Sequence, residues 1–297
     1  MTFVNPQYLV ETSWLAEHLD DPDLRVVDCT QYLPDYFEKV ELTTVSGREN
    51  YAAGHIPGAA YVDLLGELTD RTRNGIYAPM PPAEQFAGVM SRIGVGEGTR
   101  VVLYDDFLSM FAARIWWMLR AFGFDNAALL DGGWPKWKSE GRPISTEPAT
   151  YPPANFVARP RPELIAQKDD VLAAIGDGQT CLLNALAEPE YSGDPAFPHH
   201  YGRPGHIPGS VNVPFVSVVD MEANTVLQPA VRLRAHYEGV GALDSERVIT
   251  YCGGGIAASQ AAFLLTLLGV DNVAMYDGSL TEWGADPSLP LVTTASD

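Results

Sequence analysis

One cysteine of this chain is followed directly by three glycines. Cys252 ends a short β-branched run in the segment VITYCGGGIAASQAAFLL, and helix-forming residues follow the glycines. Glycines allow successive backbone N–H groups to turn toward one point, and a helix N-terminus adds free amides and the positive end of its dipole. Such a loop binds an anion, so we predict that Cys252 is held as a thiolate, the nucleophilic form of cysteine. The alternative is a buried structural cysteine at the end of a strand.

The length and the net charge of the chain limit the number of domains and the kinds of molecule that the protein can bind. The chain has 297 residues, more than the usual ~100–200 of one domain, so we expect two domains. Asp and Glu total 38 against 19 Lys and Arg, which gives a formal net charge of −19. We therefore predict no binding to nucleic acid or to anionic membrane surfaces. An anionic substrate would need a locally positive pocket, made by loop amides and a few arginines.

The cysteines and the first residues indicate the cellular setting. Cys29, Cys181 and Cys252 are too few and too scattered for a disulfide framework, and no Cys/His spacing is typical of a zinc site. The first residues have no basic segment followed by an apolar core, and no run reaches the ~18 apolar residues of a membrane span. We predict a soluble cytoplasmic protein with reduced thiols and no cleaved leader, in which Cys29 and Cys181 are packing residues.

The chain contains the same unit twice. GHIPGA at 54–59 recurs as GHIPGS at 205–210, and GFDNAALLDGGWPKW at 123–137 recurs as GVDNVAMYDGSLTEW at 269–283. Between these markers VVLYDD at 101–106 corresponds to VITYCG at 248–253, so Asp105 lies where the second copy has Cys252. Repetition at a nearly fixed offset indicates a duplicated structural unit. One copy of this duplication has no nucleophile.

Each half alternates predicted strands and helices. In the first half four short apolar runs are predicted strands, and three longer segments that end at or near glycine are predicted helices. The second half repeats this order. The alternation predicts an α/β fold with an open, mostly parallel sheet flanked by helices in each half. Ligands of such sheets bind beyond the carboxyl ends of the strands, which is where Cys252 falls.

A proline-rich segment separates the halves. GRPISTEPATYPPANFVARP at 141–160 has little periodicity and is typical of a linker. We therefore predict a first domain at 1–141, a linker at 142–159 and a second domain at 160–297.

Several motifs together resemble one known family. These are GHIPG in both halves, AARIWWMLRAFG at 112–123, DGGWPKW at 131–137 and the single cysteine loop of the second half. With them the chain resembles the two-domain rhodaneses, which are thiosulfate sulfurtransferases and 3-mercaptopyruvate sulfurtransferases. The resemblance implies two tandem rhodanese-like domains, the first non-catalytic and the second catalytic, with the cysteine loop lying against the first. Asp105 in place of a cysteine agrees with that division.

The resemblance also implies a reaction. The Cys252 thiolate attacks the outer sulfur of a small anionic donor, releases sulfite or pyruvate, and holds the sulfur as a persulfide. Cyanide, a small thiol or a thioredoxin-like protein then accepts it, and no metal or organic cofactor is implied. Backbone amides suited to stabilise the anion belong to Gly253, Gly254, Gly255, Ile256 and Ala257.

The cysteine loop departs from both known forms. Thiosulfate-type loops read CRKGVT and mercaptopyruvate-type loops read CGSGVT, whereas this chain has CGGGIA. The loop keeps Gly253 and Gly255 of the second form but has Gly254 for its serine and Ala257 for its threonine. It is closer to that form, so we place 3-mercaptopyruvate ahead of thiosulfate as donor. The Asp-x-Arg that usually follows the first strand of the second domain is Asn184-Ala185-Leu186 here. An expected positive charge is therefore missing.

Other cations are candidates to supply that charge. Arg203 would clamp a carboxylate or sulfonate, because a planar guanidinium binds such groups through two hydrogen bonds; the alternative is a solvated loop arginine. His55 resembles the family histidine assigned to the mercaptopyruvate site and would act as a proton donor. Its counterpart His206 lies in an identical motif, so a structural role for both is an equal alternative. Further cationic candidates are Arg71, Arg73, Arg114, His199 and His200.

Two other functions fit parts of the sequence. A cysteine phosphatase or arsenate reductase also holds a thiolate in an amide-lined loop, but it closes a longer loop with an arginine where this chain has Ala258. A non-catalytic rhodanese-like module, acting as a sulfur carrier or in protein interaction, would tolerate the changes at Gly254, Ala257 and Leu186. The intact Cys252 loop favours a catalyst over that module.

Overall fold

The two halves of the chain build two sheets of the same design. In a computed structural model that describes residues 2–294, each half has a five-stranded sheet flanked by helices. The strands of the first half are β1 (Leu9–Val10), β2 (Leu24–Asp28), β3 (Gln31–Tyr32), β4 (Val45–Ser46), β5 (Ala59–Tyr61), β6 (Arg100–Tyr104) and β7 (Ala127–Leu130). Its helices are α1 (Thr12–His18), α2 (Arg48–Ala53), α3 (Leu64–Glu67), α4 (Ala83–Arg92), α5 (Met110–Ala121) and α6 (Gly133–Ser139).

The second half repeats this succession of elements. Its strands are β8 (Ile165–Ala166), β9 (Thr180–Asn184), β10 (Val211–Asn212), β11 (Val219–Asp220), β12 (Val226–Leu227), β13 (Arg247–Tyr251) and β14 (Val273–Tyr276). Its helices are α7 (Lys168–Ala174), α8 (Glu188–Ser192), α9 (Ala230–Gly239), α10 (Ile256–Leu267) and α11 (Ser279–Trp283). Short 3₁₀ helices cover Pro6–Tyr8, Pro162–Leu164 and Phe215–Val218.

Both five-stranded sheets are parallel throughout and have the same strand order. The order is β1-β7-β6-β2-β5 in the first half and β8-β14-β13-β9-β10 in the second. The central strands β6 and β13 are apolar runs buried after their first residue, as expected where helices cover a parallel sheet. The predicted α/β fold, with two tandem parallel-sheet domains, is confirmed.

Two short antiparallel hairpins lie outside these sheets. β3 pairs with β4, and β11 pairs with β12. The residues between β3 and β4 reach the second half of the chain, because the Tyr36 hydroxyl donates to Glu190 Oε2 over 2.6 Å. This excursion of the first domain covers part of the other domain's loop region.

Helices α5 and α10 form the centre of the molecule. Of their 12 residues each, 11 are buried in α5 and all 12 in α10. A helix with apolar residues on every side needs cover on every side, and these two cover each other. Trp116 of α5 meets Phe263 of α10 edge to face, with ring centroids 4.9 Å apart. A continuous apolar core therefore joins the two halves.

The proline-rich segment at 142–159 lies along the first domain. Phe156 is buried against Phe86 of α4, with ring centroids 5.5 Å apart. The N–H of Ala154 donates to the carbonyl of Ser91 over 2.9 Å. The segment is thus packed against the first domain rather than suspended between the halves.

Within residues 2–294, no helix combines the length and the apolar character needed to cross a membrane.

Candidate active site

Cys252 lies at the carboxyl end of the central strand β13, directly before α10. β13 ends at Tyr251 and α10 begins at Ile256, so Cys252 and the three glycines form the whole connection. Gly255 has a φ of +86°, and a Cβ there would lie 2.7 Å from Nη1 of Arg114. Only glycine adopts this backbone without strain. The Gly255 N–H donates to Sγ of Cys252 over 3.1 Å, which is an anion-stabilising arrangement.

The carbonyl side of this loop is anchored to the start of α11. The Cys252 N–H donates to Ser279 Oγ over 3.1 Å. The Cys252 carbonyl accepts from the Leu280 N–H over 3.0 Å, and the Gly253 carbonyl accepts from the Thr281 N–H over 2.9 Å. Because α11 binds these carbonyls, the loop is held in the conformation that directs the Gly255 N–H at the sulfur.

A buried ion pair between the two domains supports the loop. Arg114 of α5 is completely buried, and its Nη2 donates to Asp277 Oδ1 over 2.6 Å. Arg73 donates to Oδ2 of the same carboxylate over 3.0 Å. Nη1 of Arg114 lies 3.5 Å from the Gly255 carbonyl. Both arginines were candidates to bind substrate, but their guanidiniums are used to position the loop.

A small cavity lies over Cys252 between the two domains. The first domain lines it with Leu33, Tyr36, Leu42, Tyr77 and Met110. The second domain lines it with Leu186, Tyr201 and Phe215 and with the loop residues Cys252, Gly254, Ile256 and Ala257. Its volume is about 30 Å³, room for one or two water molecules. No Lys, Arg or His among residues 2–294 contributes to its lining.

Two tyrosines close the site over the glycines. A Cβ on Gly253 would lie 1.8 Å from the ring of Tyr201, and a Cβ on Gly254 would lie 2.6 Å from the ring of Tyr77. These glycines are therefore required by the close approach of the two rings. Cys252 is only 2% exposed. A donor reaches its sulfur only when the covering residues move.

The first domain has a corresponding loop, one residue longer, with a carboxylate at its head. Asp105 follows β6 as Cys252 follows β13. Its Oδ1 accepts from the N–H groups of Phe107 and Ser109 over 2.7 and 3.0 Å, and its Oδ2 accepts from that of Ala112 over 2.8 Å. Burial raises the pKa of Asp105 to about 7, against the lowering effect of these hydrogen bonds. The loop gathers amides around the acidic group at its head.

The histidines of the two GHIPG motifs occupy matching structural positions. His55 is fully buried, with Nδ1 2.7 Å from the Tyr51 carbonyl and Nε2 3.0 Å from the Glu147 carbonyl. It stacks on the Tyr51 ring, as His206 stacks on Tyr191, each at 3.9 Å between centroids. His55 is not among the residues that line the cavity. This placement favours the structural alternative for His55 over a role as proton donor.

Arg203 also lies outside the cavity. Its guanidinium donates to four backbone carbonyls at 2.8–3.4 Å, those of Trp283, Gly284, Asp286 and Leu289. These contacts engage Nε and Nη2 of Arg203 and fix the end of α11 and the segment that follows it. Arg71 lies on the exposed surface, where its Nη2 is 3.5 Å from the Gly66 carbonyl. Neither arginine is placed to bind a donor at Cys252.

His200 holds the first domain's excursion in place. Nδ1 of His200 lies 3.0 Å from the Val40 carbonyl, and its Nε2 lies 2.8 Å from the Tyr36 carbonyl. His199 and Glu190 line a separate small cavity, and burial raises the pKa of Glu190.

Within residues 2–294 no group of three or more His, Cys, Asp and Glu side chains is arranged to hold a metal ion.

The comparison with known proteins covers both halves of the chain. The family described as Rhodanese-like domain matches residues 11–140 and again residues 167–286. The chain belongs to the rhodanese family. This rhodanese is 31% identical over 284 residues to the 3-mercaptopyruvate sulfurtransferase of Escherichia coli K12, covering 96% of this chain and 97% of the relative. It is 35% identical over 283 residues to the thiosulfate sulfurtransferase of Rattus norvegicus, covering 93% and 91%.

Other relatives extend the comparison. The rhodanese is 35% identical over 301 residues to the sulfur carrier protein TtuD of Thermus thermophilus, covering 98% of each chain. The crystal structure of SseA, a 3-mercaptopyruvate enzyme of Escherichia coli, superimposes with a TM-score of 0.79 at 30% identity over 92% of this chain and 98% of that one. EanB, solved with ergothioneine, has a TM-score of 0.81 at 22% identity over 97% and 70%, a likeness of fold alone. The enzyme class indicated by the named full-length relatives is sulfurtransferase.

The aromatic cover of Cys252 is the part of the site that sequence reasoning missed. Tyr36 and Tyr77 lie in irregular segments of the other domain, where no motif or periodicity distinguishes them. Tyr201 stands in FPHHYGRPG, between the histidines and Arg203, in a segment we selected for its cations. Its ring, rather than those cations, covers the loop. The one available sequence signal was that Tyr201 stands among the candidate cationic ligands.

Proposed function

We propose that this rhodanese moves sulfane sulfur from a small donor to a thiophilic acceptor through a persulfide on Cys252. The observation that carries the proposal is the Gly255 N–H directed at Sγ of Cys252 over 3.1 Å. The donors are 3-mercaptopyruvate or thiosulfate, and the acceptor is cyanide, a small thiol or a thioredoxin-like protein. Metal ions and organic cofactors take no part, and neither nucleic acid nor a membrane is a partner.

The transfer has two steps. The Cys252 thiolate attacks the outer sulfur of the donor, and the new S–S bond forms as the donor's bond to that sulfur breaks. The bonding electron pair leaves with sulfite, or with the enolate of pyruvate, which then takes a proton. The acceptor next attacks the outer sulfur of the persulfide and releases the Cys252 thiolate. Atoms and electrons balance without a further oxidant or reductant.

The Asp105 loop of the first domain indicates where the outer sulfur of a Cys252 persulfide would lie. The oxygens of Asp105 lie one bond beyond Cγ, as the outer sulfur of a persulfide lies one bond beyond Sγ. Three amides bind those oxygens at 2.7–3.0 Å. The equivalent amides of the Cys252 loop would bind the outer sulfur and stabilise its negative charge before and after transfer.

Intact-protein mass spectrometry tests the proposal. The protein is incubated separately with 3-mercaptopyruvate and with thiosulfate, and each sample is then treated with cyanide. We expect a gain of one sulfur atom that cyanide removes, seen in the wild type and in the matched control Cys181→Ser but not in Cys252→Ser. A gain that persists in Cys252→Ser would overturn the assignment of Cys252, and no gain with either donor would overturn the proposed donors.

A sulfur carrier that passes its sulfur to a protein is the second candidate, because the Thermus thermophilus relative is a sulfur carrier protein. The burial of Cys252 favours a small acceptor, since a protein thiol would have to displace the tyrosine cover. Multiple turnover with cyanide and a small donor would support the enzyme. Loading followed by transfer only to a thioredoxin-like protein would support the carrier.

A further inference from the structure

We infer that His200 is a positioning residue for sulfur transfer. With a proton on both ring nitrogens it holds the first domain's excursion over Cys252, and the loss of one of these protons releases the excursion. The role rests on the proposed function, because what it controls is access to the nucleophile. His200 itself is not among the residues that line the cavity over Cys252.

Both ring nitrogens of His200 face carbonyl oxygens of the excursion. Nδ1 lies 3.0 Å from the Val40 carbonyl, and Nε2 lies 2.8 Å from the Tyr36 carbonyl. A carbonyl oxygen can only accept a hydrogen bond, whereas a neutral imidazole has one N–H and one bare nitrogen. Both contacts are therefore hydrogen bonds only when His200 is an imidazolium. In the neutral ring a nitrogen lone pair would face an oxygen lone pair at one of them.

The segment that His200 binds is a wall of the site. Leu33, Tyr36 and Leu42 of the excursion line the cavity over Cys252. Tyr36 is held at two points, because its carbonyl accepts from His200 and its hydroxyl donates to Glu190 Oε2 over 2.6 Å. Its ring also packs against that of His200, with centroids 4.9 Å apart. A change at His200 therefore reaches the cover of Cys252 through Tyr36.

The charges around His200 favour the imidazolium. Glu190 of α8 is 3% exposed. Burial raises the pKa of Glu190, while the Tyr36 hydroxyl and the charge and backbone N–H of His200 act in the opposite direction. Attraction between this carboxylate and the ring is mutual, so Glu190 stabilises the charged form of His200.

The other titratable groups near His200 do not reverse this balance. They are Tyr36, Lys39 and Glu41 on the excursion and His199 and Tyr201 in the segment of His200 itself. Lys39 is paired with Asp35 over 2.8 Å. The remaining charges on these segments, those of Glu41 and Glu190, are negative.

The closed position of the excursion therefore binds one proton more than the open position. As the pH rises, His200 gives that proton to water, one of its two hydrogen bonds to the excursion is lost, and the other no longer fixes the segment alone. Histidine is the side chain whose charge changes in the physiological pH range. Access to the Cys252 sulfur should thus increase with pH beyond what the ionisation of the thiol itself produces.

Nitrogen NMR tests the protonation directly. In protein labelled with ¹⁵N at histidine, protonated and bare ring nitrogens differ in chemical shift, and the His200 ring is assigned through its contacts with the Tyr36 ring. We expect both nitrogens of His200 to carry protons at about pH 7. A single neutral tautomer at that pH would overturn the inference.

The rate at which iodoacetamide alkylates Cys252 measures access to the sulfur. His200→Gln has an amide that can donate to one of the two carbonyls but cannot gain the second N–H that a ring acquires on protonation. We expect it to be alkylated about tenfold faster than wild type at about pH 6, and at nearly the wild-type rate at about pH 9. The ionisation of the thiol cancels in the ratio of the two rates.

The matched control is His236→Gln, which changes an exposed histidine of α9 and should be alkylated at the wild-type rate throughout. A ratio for His200→Gln that is the same at both pH values would overturn the inference, since a purely structural loss does not follow a proton. Should His200→Gln fail to fold, the NMR of the wild type still decides.

The outcomes separate the two proposals, because alkylation reports access whether or not sulfur is transferred. A constant ratio together with cyanide-labile sulfur on Cys252 would overturn the role of His200 and leave the persulfide intact. A ratio that falls with pH, without sulfur loading by either donor, would support the role of His200 in access and overturn the proposed function.

Discussion

Asp105 and Cys252 occupy equivalent positions in the two domains, each at the carboxyl end of the central strand of its sheet. The carboxylate is bound by three backbone amides at 2.7–3.0 Å, and the thiol by the Gly255 amide at 3.1 Å. Each loop thus directs one or more backbone amides at the side chain at its head, which is a carboxylate in one domain and a thiol in the other.

The stability of the protein should depend on the ionisation of Asp105. Its pKa is raised from 3.8 to about 7 by burial, so the folded state holds this proton more tightly than the unfolded state. The contribution is fully present below about pH 4 and is lost as the pH rises through 7. Urea unfolding of wild type and Asp105→Asn should show a difference in unfolding free energy that changes by ~2–3 kcal/mol between pH 5 and 7. A pH-independent difference would contradict this.

Breaking the buried ion pair should destabilise the protein. Arg114→Met leaves Oδ1 of the buried Asp277 carboxylate without its ion-pair partner, while Arg73 and the Met80 N–H still bind Oδ2, and we expect a loss of about 3 kcal/mol of unfolding free energy. The matched control is Arg73→Met, whose side chain is 37% exposed, and for which we expect about 1 kcal/mol or less. Denaturant unfolding at neutral pH measures both. Equal losses would mean that the burial of Arg114 is not what matters.

The backbone of Gly255 gives a third prediction. Gly255→Ala puts a Cβ at a φ of +86° and 2.7 Å from the Arg114 guanidinium, so we expect a loss of about 1–3 kcal/mol and slower sulfur loading. Gly88→Ala is the matched control, because an added Cβ there meets nothing within 4 Å and Gly88 lies inside α4. That change should stabilise the protein by about 0.5–1 kcal/mol. Unimpaired loading in Gly255→Ala would remove this amide from the mechanism.

The cover over the sulfur should limit access to it. Tyr201→Ala removes the ring above Gly253, and we expect iodoacetamide to alkylate Cys252 about tenfold faster or more. Tyr201→Phe keeps the ring and should leave the rate close to that of wild type. The rate is followed by mass spectrometry with Cys252→Ser as the blank. Similar rates for the alanine and phenylalanine variants would show that another group covers the thiol.

The main features of the fold could be predicted from the sequence because they are local. The apolar run before Cys252, the glycines after it and the repeated GHIPG motifs each report on a few neighbouring residues. The parallel sheets followed from the alternation of strands and helices. β1, β3 and β8 could not be predicted in this way, since each has two residues and too little length for a periodic pattern.

The side chains of the site were less predictable because their positions depend on contacts between distant segments. Arg203 and His55 have the right chemistry for a clamp and a proton donor, but backbone carbonyls far along the chain bind both. From the sequence, Leu186 marked only the absence of an expected arginine, whereas in the structure its side chain lines the cavity over Cys252. Tyr77 comes from the other domain and no local pattern announces it.

The packing of α5 against α10 has a consequence for how such a chain can evolve. The first domain has no cysteine at its loop head. Yet Trp116 of α5 contacts Phe263 of α10, the helix that follows the Cys252 loop, and Arg114, also of α5, lies against Gly255 in that loop. Natural selection on sulfur transfer therefore acts on the first domain as directly as on the second. Deleting the copy that has no nucleophile would remove one wall of the cavity over Cys252 and uncover α10, so the duplication cannot readily be reversed.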